Sequence, residues 1–440
     1  MNRPRLPDPL SVTPIAEPLA AIVTLPGSKS LTNRALVCAA LAEGTSEIIN
    51  ALHAQDCEAM VGGLTALGVD ITPQWERGRV VVQGSAGRPS ADVALVDAHL
   101  SGTTSRFLLP VAGLGSGLHR VDAANRMRER PMAEALSAVR TLGAEVREVG
   151  APGHLPVEIT GGSLTGGEVR LRGDVSSQFL SGLLLAGPAM ANGLTVHLEG
   201  HLVSRPYVEM TVAVMAAFGA AVEHNDHTWV VAPQPYRATQ YVVEPDASAA
   251  SYCFAAAALV GGSVTVAGLG TDSAQGDLAF VDLLADMGAE VERGATSTTV
   301  TGRGELRGIV TNMAEISDTA QTLAVVAAFA QGPTQVSGIG FIRGKETDRI
   351  RAVVTELQRL GVDAHEQPDG FVVRPGPVGP GTVQTYDDHR MAMSFALIGL
   401  RVAGIHIADP ACVAKTFPKF WTMLDELSGP PGLGTMVRRP

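Results

Sequence analysis

The sequence predicts an α/β (α+β) protein of two domains, each built from three copies of one helix–strand–helix–strand–strand unit. Three observations carry this. Six times a glycine introduces an alternating strand: Gly44-Thr-Ser-Glu-Ile, Gly117-Leu-His-Arg-Val, Gly193-Leu-Thr-Val-His-Leu, Gly262-Ser-Val-Thr-Val, Gly332-Pro-Thr-Gln-Val and Gly404-Ile-His-Ile, about 70 to 76 residues apart. In register with these, an amphipathic helix ends in glycine and feeds a strand at Gly68, Gly143, Gly219, Gly288 and Gly361. At 440 residues, the chain is also too long for one ordinary core.

Each element of the unit has a local reason. The glycine after the helix suits the left-handed cap that ends helices. A charged strand, a turn and an apolar strand follow, as in Ala289-Glu290-Val291-Glu292-Arg293-Gly294 and then Thr298-Thr299-Val300-Thr301. The unit is about 72 residues long, and six of them nearly exhaust the chain. One unit cannot bury both faces of its sheet and helices, so a three-and-three division is expected. Glu244-Pro245-Asp246, after the proline-rich stretch Pro233 to Pro235, reads as one crossover. The segment before Lys29 reads as the other, and a cleft between the halves is the expected ligand site.

Composition narrows the function. Apolar residues make up 45% and charged residues 18%, as in a water-soluble globular protein. Aromatics are 4%, so Ala, Val and Leu must fill the interior. A net charge of −11 argues against nucleic acid, which is held by basic charge. Cys38, Cys57, Cys253 and Cys412 are widely spaced, which gives neither a zinc pattern nor a disulfide framework. With no apolar signal core before Pro14 and no membrane-length apolar run, a cytoplasmic location is expected. The tail 429–440, beginning Gly429-Pro430-Pro431-Gly432, reads as disordered.

Cations stand out against that acidic background. Pro26-Gly27-Ser28-Lys29-Ser30-Leu31-Thr32-Asn33-Arg34 ends an apolar strand and opens an Ala/Leu-rich helix. Helix N-terminal N–H groups attract anions, and Lys29 and Arg34 add full charges. A P-loop is excluded, because Ser28 stands where glycine must precede the lysine. Ser101-Gly102-Thr103-Thr104-Ser105-Arg106 is a small-residue loop whose N–H groups suit a carboxylate or phosphate. Arg126-Met127-Arg128-Glu129-Arg130-Pro131 sets three arginines before a helix, with Pro131 expected at its first position. Ser176-Ser177-Gln178-Phe179 and Ser204-Arg205-Pro206-Tyr207 offer neutral donors at helix starts. Lys345-Glu346-Thr347-Asp348-Arg349 surrounds carboxylates with cations, and on a helix Lys345 and Arg349 would share a face. Asp388-His389-Arg390 and Lys415-Thr416-Phe417-Pro418 complete the set. These stretches recur at equivalent ends of successive units, which points to one small, strongly anionic ligand site.

From Leu25 to about Leu427 these motifs resemble the 5-enolpyruvylshikimate-3-phosphate synthases, a family of enolpyruvyl transferases. The resemblance rests on Pro-Gly-Ser-Lys-Ser-x-x-Asn-Arg at 26–34, Arg-Met-Arg-Glu-Arg-Pro at 126–131 and Ser-Ser-Gln-Phe at 176–179. It continues with Lys-Glu-Thr-Asp-Arg at 345–349, Asp-His-Arg-Met-Ala-Met at 388–393 and Lys-Thr-Phe-Pro at 415–418. It implies a two-domain inverse α/β barrel of six βαβαββ repeats. One domain would be 28–246, on the shikimate 3-phosphate side. The other would be 1–27 plus 247–428, on the phosphoenolpyruvate and catalytic side.

The implied reaction joins shikimate 3-phosphate to phosphoenolpyruvate and releases phosphate, with no metal or cofactor. Each substrate carries a carboxylate and a phosphate, which gives the cations a purpose. By motif position, Lys29, Ser30, Arg34, Ser176, Ser177, Gln178, Ser204, Asp318 and Lys345 would bind shikimate 3-phosphate. Lys29, Gly102, Arg130, Gln178, Arg349, Arg390 and Lys415 would bind phosphoenolpyruvate. Asp318 would activate the hydroxyl, Glu346 would exchange a proton with the methylene carbon, and Lys29 would join them as a catalytic residue. The resemblance further implies a monomer whose partners are these small molecules alone, without nucleic acid or membrane.

This chain departs from the family pattern twice. Leu100 and Phe341 stand where the family often has Asn, and neither is assigned a contact. Gly102 is retained where glyphosate-tolerant relatives carry a bulkier residue, so glyphosate sensitivity is expected. Two other readings stay open. One is the sister transferase acting on UDP-N-acetylglucosamine, whose loop cysteine is absent from Arg126–Pro131 here. The other is a non-catalytic two-lobed anion-binding protein, for which Asp318 and Glu346 would be unwelcome.

Overall fold

A computed structural model describes residues 6–429 and 434–438. Contacts divide the chain into a continuous unit, Gly27–Glu244, and a split unit, Met1–Pro26 with Pro245–Pro440. In the continuous unit the Ser28 N–H donates to the Glu244 carbonyl at 2.8 Å; in the split unit the Asp246 N–H donates to Pro26 at 3.0 Å.

The continuous unit holds helices α1 (Lys29–Leu41), α2 (Gln55–Ala66), α3 (Gly102–Ala112), α4 (Asn125–Arg128), α5 (Ala133–Thr141), α6 (Ser177–Ala186) and α7 (Arg205–Ala217). Helices α1, α3 and α6 pack on one another and are buried almost all round. The split unit holds α8 (Ala247–Val260), α9 (Phe280–Asp286), α10 (Ala320–Ala327), α11 (Arg349–Arg359), α12 (His389–Gly399) and α13 (Phe420–Ser428). There α8, α10 and α12 form the inner trio. A helix apolar on every side must be enclosed. The alanines of α8 allow three helices to approach closely in a chain poor in aromatics.

Sheets form the outer layer, and their strand order repeats. In the continuous unit, strand Val93–Asp97 pairs parallel with Leu118–Asp122, which pairs antiparallel with Val157–Thr160, then Val146–Glu148. The same parallel–antiparallel–antiparallel order recurs in the sheets led by Gln240–Val242 and Gly167–Arg172. The split unit repeats it twice, in the sheets led by Leu19–Val23 and Val310–Asn312. No sheet closes on itself among the described residues, so the barrel takes the form of open sheets around helices.

The glycine periodicity has a backbone cause. All six pre-strand glycines and all five post-helix glycines take positive φ, from 64° at Gly193 to 111° at Gly288. At Gly117 a Cβ would also lie 1.9 Å from the Asp92 carbonyl oxygen, so no other residue fits.

The structure corrects two expectations. The sixth repeat lacks its final hairpin: strand Ile405–Ile407 pairs with Gly381–Val383 and, instead of a hairpin strand, with Leu10–Ser11. The tail is not uniformly disordered. Val437–Arg438 pairs antiparallel with Ile22 and Val23. The Glu426 carboxylate holds this segment by accepting the Thr435, Met436 and Val437 N–H groups and the Thr435 hydroxyl at 2.8 to 3.1 Å. Residues 430–433 and 439–440 of that tail lie outside the described residues.

Candidate functional site

The candidate residues fall into two groups, one in each unit. In the continuous unit Lys29, Ser30, Gly102, Ser176, Ser177 and Gln178 lie at the N-terminal turns of the inner helices. Serine caps all three: Ser28 accepts the Leu31 N–H, Ser101 the Thr104 N–H and Ser176 the Gln178 N–H. Neighbouring turns are tied together. Asn33 donates to Thr103 Oγ1 at 2.8 Å, and Arg106 Nη1 donates to Gln178 Oε1 at 3.2 Å. Neutral caps leave the partial positive charge of these helix ends uncompensated, which favours an anion.

Lys29 opens α1, with its Nζ 3.6 Å from the buried Asp56 carboxylate. Gly102 opens α3, where a Cβ would lie 2.7 Å from Arg106 Nη1 and 3.0 and 3.2 Å from Arg130 Nη1 and Nη2. Two guanidinium groups therefore flank bare backbone. Arg130 is 7% exposed. Its Nη1 meets Met127 Sδ at 3.5 Å, and its Nε has no partner among the described residues. The other two arginines of that run are surface residues, Arg126 on Glu129 at 2.6 Å and Arg128 on Asp122 at 2.8 Å. Pro131 stands two residues before α5 rather than at its first position, because the helix begins at Ala133.

Arg34 has a different environment from Lys29. It is 1% exposed and donates to Thr211 Oγ1, the Ser30 carbonyl and the Tyr207 carbonyl at 2.7 to 2.9 Å. Its guanidinium also lies over the Phe107 ring. Burial lowers its pKa to about 10. Ser177 is buried at the start of α6; Ser204 is buried before α7 in a left-handed conformation, φ 53°.

In the split unit the structure assembles an ion network. Arg349, 2% exposed, donates to Asp388 Oδ2 at 2.8 Å, Glu346 Oε2 at 2.8 Å and Asp318 Oδ1 at 3.1 Å. Arg390 Nη2 donates to Asp318 Oδ2 at 2.7 Å, and Lys415 Nζ lies 3.7 Å from Glu346 Oε1. Asp318 and Glu346 thus each bridge two cations. Burial opposes the charge of Arg349, but Asp388, Glu346 and Asp318 outweigh it and raise its pKa. Asp388, 0% exposed, also caps α12 by accepting the Arg390 N–H at 2.9 Å. His389 is buried with neither ring nitrogen hydrogen-bonded among the described residues. Burial, then Arg390, holds its pKa well below the ordinary value, so the ring is neutral.

Lys345 does not share a helix face with Arg349. It ends a short 3₁₀ turn, and α11 begins only at Arg349, capped by Asp348. Its Nζ lies 5.9 Å from the Phe341 ring centroid. Sequence reasoning also left Arg106, Asp56 and Asp388 without roles. Arg106 and Asp388 stood inside quoted motifs; Asp56 carried no local signal. Among the described residues, no three His, Cys, Asp or Glu side chains are grouped to hold a metal ion.

Residues 14–424 match the family described as EPSP synthase (3-phosphoshikimate 1-carboxyvinyltransferase). A 3-phosphoshikimate 1-carboxyvinyltransferase of Nostoc punctiforme is 45% identical over 417 residues, covering 94% of this chain and 98% of that protein. One of Methanosphaerula palustris is 45% identical over 411 residues, covering 92% and 96%. The solved EPSP synthase of Acinetobacter baumannii superposes with a TM-score of 0.79 at 26% identity, over 97% of this chain and 98% of that one.

Proposed function

Since the chain belongs to the EPSP synthase family, we propose a division of labour between its two residue groups in the reaction of that family. The enzyme transfers the enolpyruvyl group of phosphoenolpyruvate to the 5-hydroxyl of shikimate 3-phosphate, giving 5-enolpyruvylshikimate 3-phosphate and phosphate. With these relatives, transfer to UDP-N-acetylglucosamine and non-catalytic anion binding are not favoured.

Ser30, Ser176, Ser177, Gln178, Ser204, Lys29, Lys345 and Asp318 are the shikimate 3-phosphate ligands of this reading. Arg34 contributes from beneath, by fixing the Ser30 and Tyr207 carbonyls. Lys29, Gln178, the Gly102 backbone, Arg130, Arg349, Arg390 and Lys415 are the phosphoenolpyruvate ligands of this reading.

Protonated Glu346 delivers its proton to the methylene carbon of phosphoenolpyruvate. Positive character then develops at the adjacent carbon, which the 5-hydroxyl oxygen attacks while Asp318 takes the hydroxyl proton. Glu346 next removes a proton from the new methyl group. The double bond re-forms, the carbon–oxygen bond to phosphate breaks, and the hydroxyl proton leaves on the phosphate. Lys29, Arg390 and Lys415 stabilise the departing charge.

The observation that carries this reading is the pairing of Asp318 and Glu346 with Arg349, Arg390 and Lys415. A protein that merely bound anions would gain nothing from two carboxylates among its cations. Proton transfer requires them there, and incoming anionic substrate competes for the same cations. Glu346→Gln should still bind both substrates but exchange deuterium into the product methylene far more slowly than wild type. Unchanged turnover by this variant would refute the role. A monomer in the cytoplasm belongs to the same proposal; among the described residues, no helix is long and apolar enough to cross a membrane.

A further inference from the structure

The turn that introduces α12 uses a residue, Tyr386, that turns of its kind avoid. The Asp388 N–H donates to the Thr385 carbonyl at 2.9 Å, and the two central residues, Tyr386 (φ 57°) and Asp387 (φ 55°), are both left-handed. Turns with two consecutive positive φ values are dominated by Gly, Asn and Asp. Tyr has a steric penalty there, and such strain persists only where surrounding structure imposes it.

The imposing group is Glu356. It sits on α11, 0% exposed. Its Oε2 accepts the Gln384 N–H at 2.9 Å and its Oε1 accepts the Tyr386 hydroxyl at 2.6 Å. Arg359 Nη1 lies 3.1 Å from the same carboxylate and balances its charge. Seven residues earlier on α11, Arg349 is gripped by Asp388 at the other end of the turn. The helix and the turn are therefore cross-tied at two points, two helical turns or ~10 Å apart. The residues after the turn are Asp388 and, at the second position of α12, Arg390. Asp387 is drawn toward the same network. Burial raises its carboxyl pKa, with Lys415 acting against that and Asp388 and Glu346 adding to it.

We propose that Glu356, acting through Gln384 and Tyr386, is the positioning residue that sets Arg349 and Arg390 for phosphoenolpyruvate. It touches no substrate. The proposal rests on the assignment of those two arginines given above. A brace of this kind affects one substrate selectively, whereas a merely structural contact affects both through stability.

The test compares Tyr386→Phe, Glu356→Ala and Glu356→Gln with wild type in steady-state assays of phosphate release, alongside melting temperatures. Tyr386→Phe removes one hydroxyl and is the variant safest to fold. It should raise the KM for phosphoenolpyruvate about tenfold, the scale of one lost hydrogen bond to a charged group, with the KM for shikimate 3-phosphate within about twofold. Glu356→Ala should do the same or more. Glu356→Gln should recover most of the loss, because its amide can accept from Gln384 and donate to the tyrosine oxygen. An unchanged phosphoenolpyruvate KM in Tyr386→Phe, equal increases for both substrates, or a glutamine variant as impaired as the alanine one would each overturn the proposal. Wild-type protein that released no phosphate would refute the assigned reaction instead. Calorimetric binding of inorganic phosphate would then decide the brace: about tenfold weaker binding by Tyr386→Phe supports it, and equal binding overturns it.

Discussion

Replacing Arg349 by methionine tests how the split unit holds its ion network. The guanidinium is 2% exposed and serves three carboxylates. Their losses differ. Glu346 keeps Lys415 and Asp318 keeps Arg390, so the damage concentrates on Asp388, which has no exposed surface. Orphaning a buried charge costs about 3–5 kcal/mol. With one carboxylate orphaned, the lower value applies. A loss of ~3 kcal/mol in a unit of this size lowers its melting temperature by roughly 6–12 °C. Differential scanning calorimetry of wild type and Arg349→Met should show that fall in the transition of the split unit, with the continuous unit melting as before. Adding Asp388→Asn to Arg349→Met should restore part of the loss, because the stranded charge is gone. A shift below about 2 °C in the single variant, the scale of about 1 kcal/mol or less, would refute the idea that Arg349 neutralises a buried charge.

Two other expectations come from particular contacts. Gly102→Ala would drive a methyl group to 2.7 Å from Arg106 and 3.0 Å from Arg130, so the KM for phosphoenolpyruvate should rise roughly ten- to hundredfold. Glyphosate should inhibit wild type competitively with phosphoenolpyruvate and lose potency in this variant; equal inhibition of both would contradict the assigned role of Gly102. Burial opposes the charge of Glu426, but hydrogen bonds from Met436, Thr435 and Val437 prevail and lower its pKa. Its contribution to the terminal strand is therefore complete above the ordinary glutamate pKa of ~4.3 and fades as pH falls through the lower folded value. Amide exchange at Val437, corrected for intrinsic rates, should accelerate over that acid range and be fast at neutral pH in Glu426→Gln; pH-independent protection would count against it.

The repeat was legible because its signals are local. A glycine forced to positive φ announces itself without knowledge of its neighbours, as Gly117 and Gly288 do. The motif stretches were legible for the same reason, since each opens or precedes a helix. Side-chain direction was not. Arg126, Arg128 and Arg130 read alike in sequence, yet Arg130 alone of the three is buried, beside Gly102. Arg34 looked like a ligand cation, but Thr211 and Tyr207, more than 170 residues away, take up its guanidinium. The brace on Tyr386 comes from Glu356, 30 residues back, and the partner of Arg390 comes from Asp318, 72 residues back. Such partners arrive only with the tertiary fold. The shortened sixth repeat did leave a trace, since the helix-ending glycine occurs five times and the strand-starting glycine six.

Segments far apart in the sequence are woven together in the sheets of the split unit. Leu10–Ser11 lies beside Ile405–Ile407, and Leu19–Val23 beside both Gly262–Ala267 and Val437–Arg438. A growing chain on the ribosome can therefore finish Gly27–Glu244 while Leu10–Ser11 and Leu19–Val23 still wait for partners that emerge after Glu244. Synthesis through Val437–Arg438 is needed before Leu19–Val23 has both of its sheet neighbours, so a polypeptide stopped short of that strand has a folded continuous unit and an incomplete sheet in the split unit.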